Sequence, residues 1–83
     1  MKITMFGINF RSASIDVREA FSFHANALPT KLRMLKSLPG VFECVILSTC
    51  NRTELYVVTD DAYDTNNILN WWQSERALED HQI

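Results

Sequence analysis

A thiol flanked by hydroxyl, amide and guanidinium groups stands out in Ser48-Thr49-Cys50-Asn51-Arg52-Thr53-Glu54. A thiolate is a strong nucleophile towards an ester carbonyl, and a neighbouring guanidinium such as Arg52 lowers a thiol's pKa towards neutrality. Backbone N–H groups of a tight loop can hold the oxyanion of a tetrahedral intermediate. Arg52 could instead clamp a substrate carboxylate with two hydrogen bonds. The plain alternative is that Cys50 is a space-filler and that Thr49, Asn51 and Arg52 are ordinary hairpin-loop residues. By residue type alone both readings stand. Cys44 alternates within an apolar run, so it reads as core. Cys44 and Cys50 lack metal-ligand spacing and no second pair joins them, so no metal is expected. His24 and His81 read as solvated bystanders, Trp71 and Trp72 as core or interface, and Asp60, Asp61 and Asp64 as a solvated helix start.

The elements that must carry this loop follow from periodicity. Residues 2–10 alternate as a strand, with Ile3 and Met5 on one face and Phe6, Ile8 and Phe10 on the other. Apolar residues on both faces predict an interior strand, and Gly7 predicts a bulge or a close approach. Asp16 and Glu19 form a capping-box pattern opening a short turn, which Phe21 and Phe23 should pin to the core. A helix is predicted over 26–38, with Leu28, Leu32, Leu35 and Leu38 on one stripe, Pro29 in its first turn and Pro39-Gly40 ending it. Residues 41–48 form the strongest strand, with Val45 and Leu47 on one face and Phe42, Cys44 and Ile46 on the other. A further strand over 53–59 makes the 49–52 stretch a hairpin loop. The last helix should begin at Asp60-Asp61 and bury Ile68, Leu69, Trp71, Trp72 and Leu78. The order strand, helix, strand, strand, helix is an α+β ferredoxin-like βαββα(β) pattern with an antiparallel sheet, expected to lack its last strand and to leave an open edge beside the first.

Composition narrows the partners. The chain has 83 residues, 47% of them hydrophobic, which fits one small domain with a dense core. A formal charge of −2 argues against electrostatic binding of a nucleic-acid body. The opening residues resemble neither a signal peptide nor a membrane span, and two free cysteines suggest a reducing compartment, so a cytoplasmic location and no membrane partner are expected.

The nine residues from Ser48 to Tyr56 resemble the hallmark motif of the glutamyl-tRNA reductase family. Gly7-Ile8-Asn9-Phe10-Arg11-Ser12-Ala13-Ser14, followed by Val17-Arg18-Glu19, resembles that family's opening, with Phe10 in place of the usual His or Tyr and Ser14 in place of Pro. The resemblance implies that residues 1–83 are part of the N-terminal catalytic domain of such an enzyme, with the NADPH-binding and dimerisation domains absent. It implies that Cys50 attacks the ester of glutamyl-tRNA, engaged by its glutamyl end, and forms a thioester. NADPH, bound by another domain, would reduce that thioester to glutamate-1-semialdehyde for 5-aminolevulinate and tetrapyrrole (porphyrin) biosynthesis. Thr49, Asn51 and Arg52 would contact the substrate around Cys50, with Arg52 recognising the glutamate carboxylate. The full-length protein would be a homodimer, with glutamate-1-semialdehyde aminomutase or a regulatory protein as further partners. The alternative is a non-catalytic regulatory or docking module. No Gly-rich dinucleotide fingerprint is present, since the two glycines are Gly7 and Gly40.

Overall fold

The computed structural model describes residues 1–9, 11, 14, 16–17, 21–49 and 51–81, with side chains up to Glu75. Strand β1 (Lys2–Asn9) is followed by a 3-10 turn (Ala25–Ala27), helix α1 (Leu28–Lys36), β2 (Val41–Ser48), β3 (Arg52–Thr59) and helix α2 (Asn66–His81). The sheet order is β1-β3-β2, and β3 is antiparallel to both neighbours. Strands β1 and β2 therefore run parallel with β3 between them, the split βαβ half of a ferredoxin-like fold. Among the described residues no fourth strand pairs with β1.

Packing is one-sided. Leu35 of α1, Leu55 and Val57 of β3 and Ile68 of α2 are fully buried, joined by Phe23, Val41 and Trp72. The opposite face of the sheet is open: Ile3 is 75% exposed, Val45 58% and Met5 51%. This corrects the interior reading of β1. Its alternation is as expected, but it is an edge strand of the described sheet, and only its Phe6 and Ile8 face packs on the core. Phe42 is a second correction. The β2–β3 register slips between Val41 and Glu43, and this bulge leaves Phe42 exposed while Cys44 and Ile46 stay on the core side.

Helix α1 accepts Pro29 in its first turn, where no intrahelical N–H is missed. Gly40 then adopts a φ of +90°, and a Cβ there would lie 2.6 Å from two Tyr63 ring carbons. Both backbone conformation and space require glycine at this turn. The final helix starts at Asn66, later than the Asp60-Asp61 pair suggested. Asp60 instead closes a turn, with its carbonyl accepting from Tyr63 N and its carboxylate from Ala62 N, while Asp64 Oδ1 accepts from Asn66 N. Short acidic side chains satisfy local backbone groups well, and here that competes with extending the helix.

Two part-buried links lock α2 to the rest. Lys31 Nζ of α1 lies 2.6 Å from Glu75 Oε2, with side chains 13% and 5% exposed. Trp72 Nε1 donates to the Phe21 carbonyl at 3.1 Å, and the Phe21 ring meets Trp72 edge-on at 5.3 Å. The Phe23 ring stacks against both Trp71 and Trp72, so Phe21 and Phe23 do pin their segment to the core. Leu69 is exposed and takes no part in the buried stripe. Glu19, the expected partner of Asp16, and the Leu78 side chain lie outside the described residues; Val17 N donates to Ser14 Oγ at 3.4 Å.

Substituting Gly40→Ala forces a Cβ into the left-handed region and against Tyr63. It should lower the unfolding free energy by about 1–2 kcal/mol from the backbone alone, with the ring overlap adding to that. Urea denaturation of the two proteins tests this, and an unchanged midpoint would contradict it.

Candidate active site at the β2–β3 loop

The loop between β2 and β3 is closed by one side chain. Thr49 N donates to the Arg52 carbonyl at 2.8 Å. Thr49 Oγ1 accepts from the backbone N–H of Asn51 and of Arg52, each at 3.2 Å, and donates to the Arg52 carbonyl at 3.3 Å. A hydroxyl has one proton and two lone pairs, so Thr49 is saturated by its own loop. The amides of Thr49, Asn51 and Arg52 are therefore engaged within the loop and do not point to an oxyanion in this geometry. Cys50 itself lies outside the described residues, as does Phe10.

Arg52, the first residue of β3, projects to the open face of the sheet with its side chain 54% exposed. Its Nε lies 3.6 Å from Glu54 Oε1, on a carboxylate only 17% exposed. The same oxygen accepts from Tyr56 Oη at 3.3 Å. Residues 52, 54 and 56 share this face because side chains alternate along a strand. Gly7 pairs with Glu54 in an unbroken β1–β3 register. A Cβ on Gly7 would sit 3.4 Å from Glu54 Cγ and 3.1 Å from Met5 Sδ. The expected close approach at Gly7 is thus made by side chains, and no bulge accompanies it.

The register also sets Asn9 opposite Arg52. Asn9 Oδ1 accepts from Arg11 N at 2.8 Å, turning the chain as it leaves β1. The result is an open cavity of about 550 Å3 lined by Asn9, Arg11, Thr49, Asn51, Arg52 and Glu54. Thr49, Asn51 and Arg52, neighbours in sequence, all line it. Arg11 and Glu54 are lining residues that the residue-level reading did not single out. The signals that could have found them are Arg11's place just after β1 and Glu54's two-residue spacing from Arg52. Arg52 is a lining cation whose side chain stands open, and an exposed guanidinium of this kind suits an anionic ligand of amino-acid size.

The other candidates stand apart. His24 is exposed ahead of the 3-10 turn and does not line the cavity. The side chain of His81 lies outside the described residues. Cys44 is half-buried on β2, its Sγ 3.8 Å from the Leu32 carbonyl. Burial pushes its thiol pKa up, and Lys36 offsets this only in part. Among the described residues, no helix is long and apolar enough to cross a membrane.

A small antiparallel α+β domain with a side-chain-stapled loop beside a polar, open cavity is the class that fold and site define. Residues 6–83 match the family described as glutamyl-tRNAGlu reductase, N-terminal domain. Relatives include the glutamyl-tRNA reductase of Halalkalibacterium halodurans, 48% identical over 63 residues, covering 76% of this chain and 14% of the relative. That of Chromohalobacter salexigens is 49% identical over 78 residues, covering 94% and 18%, and that of Xylella fastidiosa is 43% identical over 82 residues, covering 98% and 18%. The chain belongs to the glutamyl-tRNA reductase N-terminal domain family. It spans 14–18% of the length of these three relatives.

Because its pKa is raised, Cys44 holds less thiolate than a small free thiol at any pH below that pKa. Its alkylation should be slower than that of N-acetylcysteine amide at neutral pH, with the rise in rate displaced to higher pH. Mass-resolved alkylation across a pH series checks this; a rate equal to or above the small thiol's would contradict the burial argument.

Proposed function

We propose that this chain is the part of a glutamyl-tRNA reductase that forms the covalent intermediate, with Cys50 as nucleophile. The observation that carries the reading is the cavity lined by Thr49, Asn51 and Arg52, the sequence neighbours of Cys50, with the exposed Arg52 guanidinium at its wall. In the reaction the Cys50 thiolate attacks the ester carbonyl of glutamyl-tRNA. The C–O bond to the terminal ribose then breaks, the ribose oxygen takes up a proton, and a glutamyl thioester remains on Cys50. Arg52, steadied by Glu54, binds the side-chain carboxylate of the glutamyl group through paired hydrogen bonds. Asn51 offers an amide to the same ligand, and Thr49 holds the loop in shape.

Reduction of the thioester to glutamate-1-semialdehyde, on the way to 5-aminolevulinate and tetrapyrroles, requires a hydride donor, NADPH in this reading. The residues here do not fit a dinucleotide: Gly7 lies inside β1 and Gly40 in the turn before β2, so neither starts a phosphate-cradling helix. The reading for this chain therefore ends at the thioester. NADPH binding by another domain, homodimerisation, a cytoplasmic location and contact with an aminomutase or a regulatory protein belong to the same proposal for a full-length protein.

Incubation with glutamyl-tRNA carrying labelled glutamate should give a hydroxylamine-sensitive label on the protein. Cys50→Ala should abolish it. Arg52→Lys keeps the charge but loses the bidentate fork, and should slow labelling about ten- to a hundredfold, the worth of one charge-assisted hydrogen bond. An unlabelled chain whose Cys50 alkylates no faster than a small thiol would instead favour the non-catalytic docking module.

A further inference from the structure

The base of the loop is held from the helical side of the sheet by a hydroxyl relay that the chemistry above does not use. Ser48 and Thr53 are the last cross-strand pair before the loop. Their hydroxyls share a hydrogen bond, with Ser48 Oγ 3.4 Å from Thr53 Oγ1, and Thr53 is 2% exposed. Ser48 Oγ also accepts the backbone N–H of Phe23 at 3.1 Å. Two residues earlier, the Phe21 carbonyl accepts Trp72 Nε1 of α2 at 3.1 Å. The Phe23 ring stacks on Trp72 with planes 12° apart. A continuous path thus runs from α2 through residues 21–23 to Ser48 and Thr53, the two stem residues of the 49–52 loop.

We propose that Ser48 is a positioning residue which couples the seating of α2, through Trp72, to the geometry of the 49–52 loop. The proposal rests on the reading of that loop as the reacting one. Its physical basis is that Ser48 serves two partners with few alternatives. Loss of its hydroxyl strands the Phe23 N–H and the buried Thr53 hydroxyl together, and each part-buried orphan favours movement towards water. The β2–β3 backbone ladder does not depend on that hydroxyl, so the sheet stays paired while its final cross-strand pair slackens. The first groups to respond are the loop amides held by Thr49 Oγ1, those of Asn51 and Arg52. Ser48 is not among the residues that line the cavity, so it acts through the loop.

The test is a double-mutant cycle on the full chain, with Ser48→Ala, Trp72→Phe and the double variant, plus Ser48→Thr as the conservative rescue. Trp72→Phe removes the indole N–H and keeps an aromatic ring against Phe21 and Phe23. Amide exchange at Asn51 and Arg52, read by NMR, should rise about two- to tenfold in each single variant, as for loss of one neutral hydrogen bond. The double variant should exceed the larger single effect by less than the product of the two, and Ser48→Thr should return the unmodified rates. Unchanged loop amides, multiplicative effects or failure of Ser48→Thr to rescue would overturn the coupling. Should Ser48→Ala fail to fold, as seen by circular dichroism, Trp72→Phe decides alone: faster loop exchange supports the relay and unchanged exchange refutes it. Alkylation of Cys50 across pH separates the two levels. If the loop amides respond but Cys50 in the unmodified chain reacts no faster than a small thiol, the coupling stands and the nucleophile reading fails. If Cys50 is fast yet indifferent to both substitutions, the positioning role fails.

Discussion

A strand paired on both edges fixes the register of two neighbours at once, and β3 is that strand here. Its contact with β1 sets Asn9 beside Arg52 and Gly7 beside Glu54; its contact with β2 sets Ser48 beside Thr53. Leu55 and Val57, buried at its centre, hold the register because a one-residue slip would carry both to the open face. The cavity is a consequence of this alignment. It forms where the end of β1 and the β2–β3 loop meet, so residues some forty positions apart in sequence line one space.

The alternation that buries Thr53, Leu55 and Val57 also divides the tasks around the loop. Arg52, Glu54 and Tyr56 face outward, where an arginine can meet an anionic ligand without losing its solvation. Ser48 and Thr53 face the helices, where hydroxyls find fixed partners. Glu54 restrains Arg52 from one side. An ion pair of this partly exposed kind adds little to stability, under about 1 kcal/mol, so its value lies in limiting where the guanidinium points. A formal charge of −2 for the whole chain is compatible with that local arrangement, since binding of a small anion depends on nearby donors more than on net charge.

The helical layer is fastened by a part-buried ion pair and an aromatic cluster. Lys31 and Glu75 form the pair, and removing the lysine would leave the buried Glu75 carboxylate without this partner. The pair therefore fixes how α1 and α2 meet. Trp72 does the same for residues 21–23 through one directed N–H and the faces of two phenyl rings.

Much of this fold was legible in the sequence because its signals are local. The span of β2, the period-two faces of β1, the proline-tolerant start of α1 and its Pro39-Gly40 stop all follow from backbone geometry within a few residues. The misreadings share a cause. Period-two alternation puts Phe42 on the face of Cys44 and Ile46, but a bulge depends on the partner strand. Apolar residues on both faces of β1 suggest an interior strand, but they do not say what pairs at its edge. Asp60-Asp61 suggested a helix start, whereas local turn hydrogen bonds took those groups first. At the site, the residue types from Thr49 to Arg52 and the family's motif were fixed by the sequence alone. What only the tertiary structure decided is that Arg11 and Glu54 join them, that Thr49 spends its hydroxyl on its own loop, and that Ser48 accepts the Phe23 N–H. The Thr49 contacts are local, but hydroxyl geometry, not residue type, decides that they close the loop. The placing of Arg11 and Glu54 and the path from Ser48 to α2 depend on strand register or helix seating, which long-range packing sets.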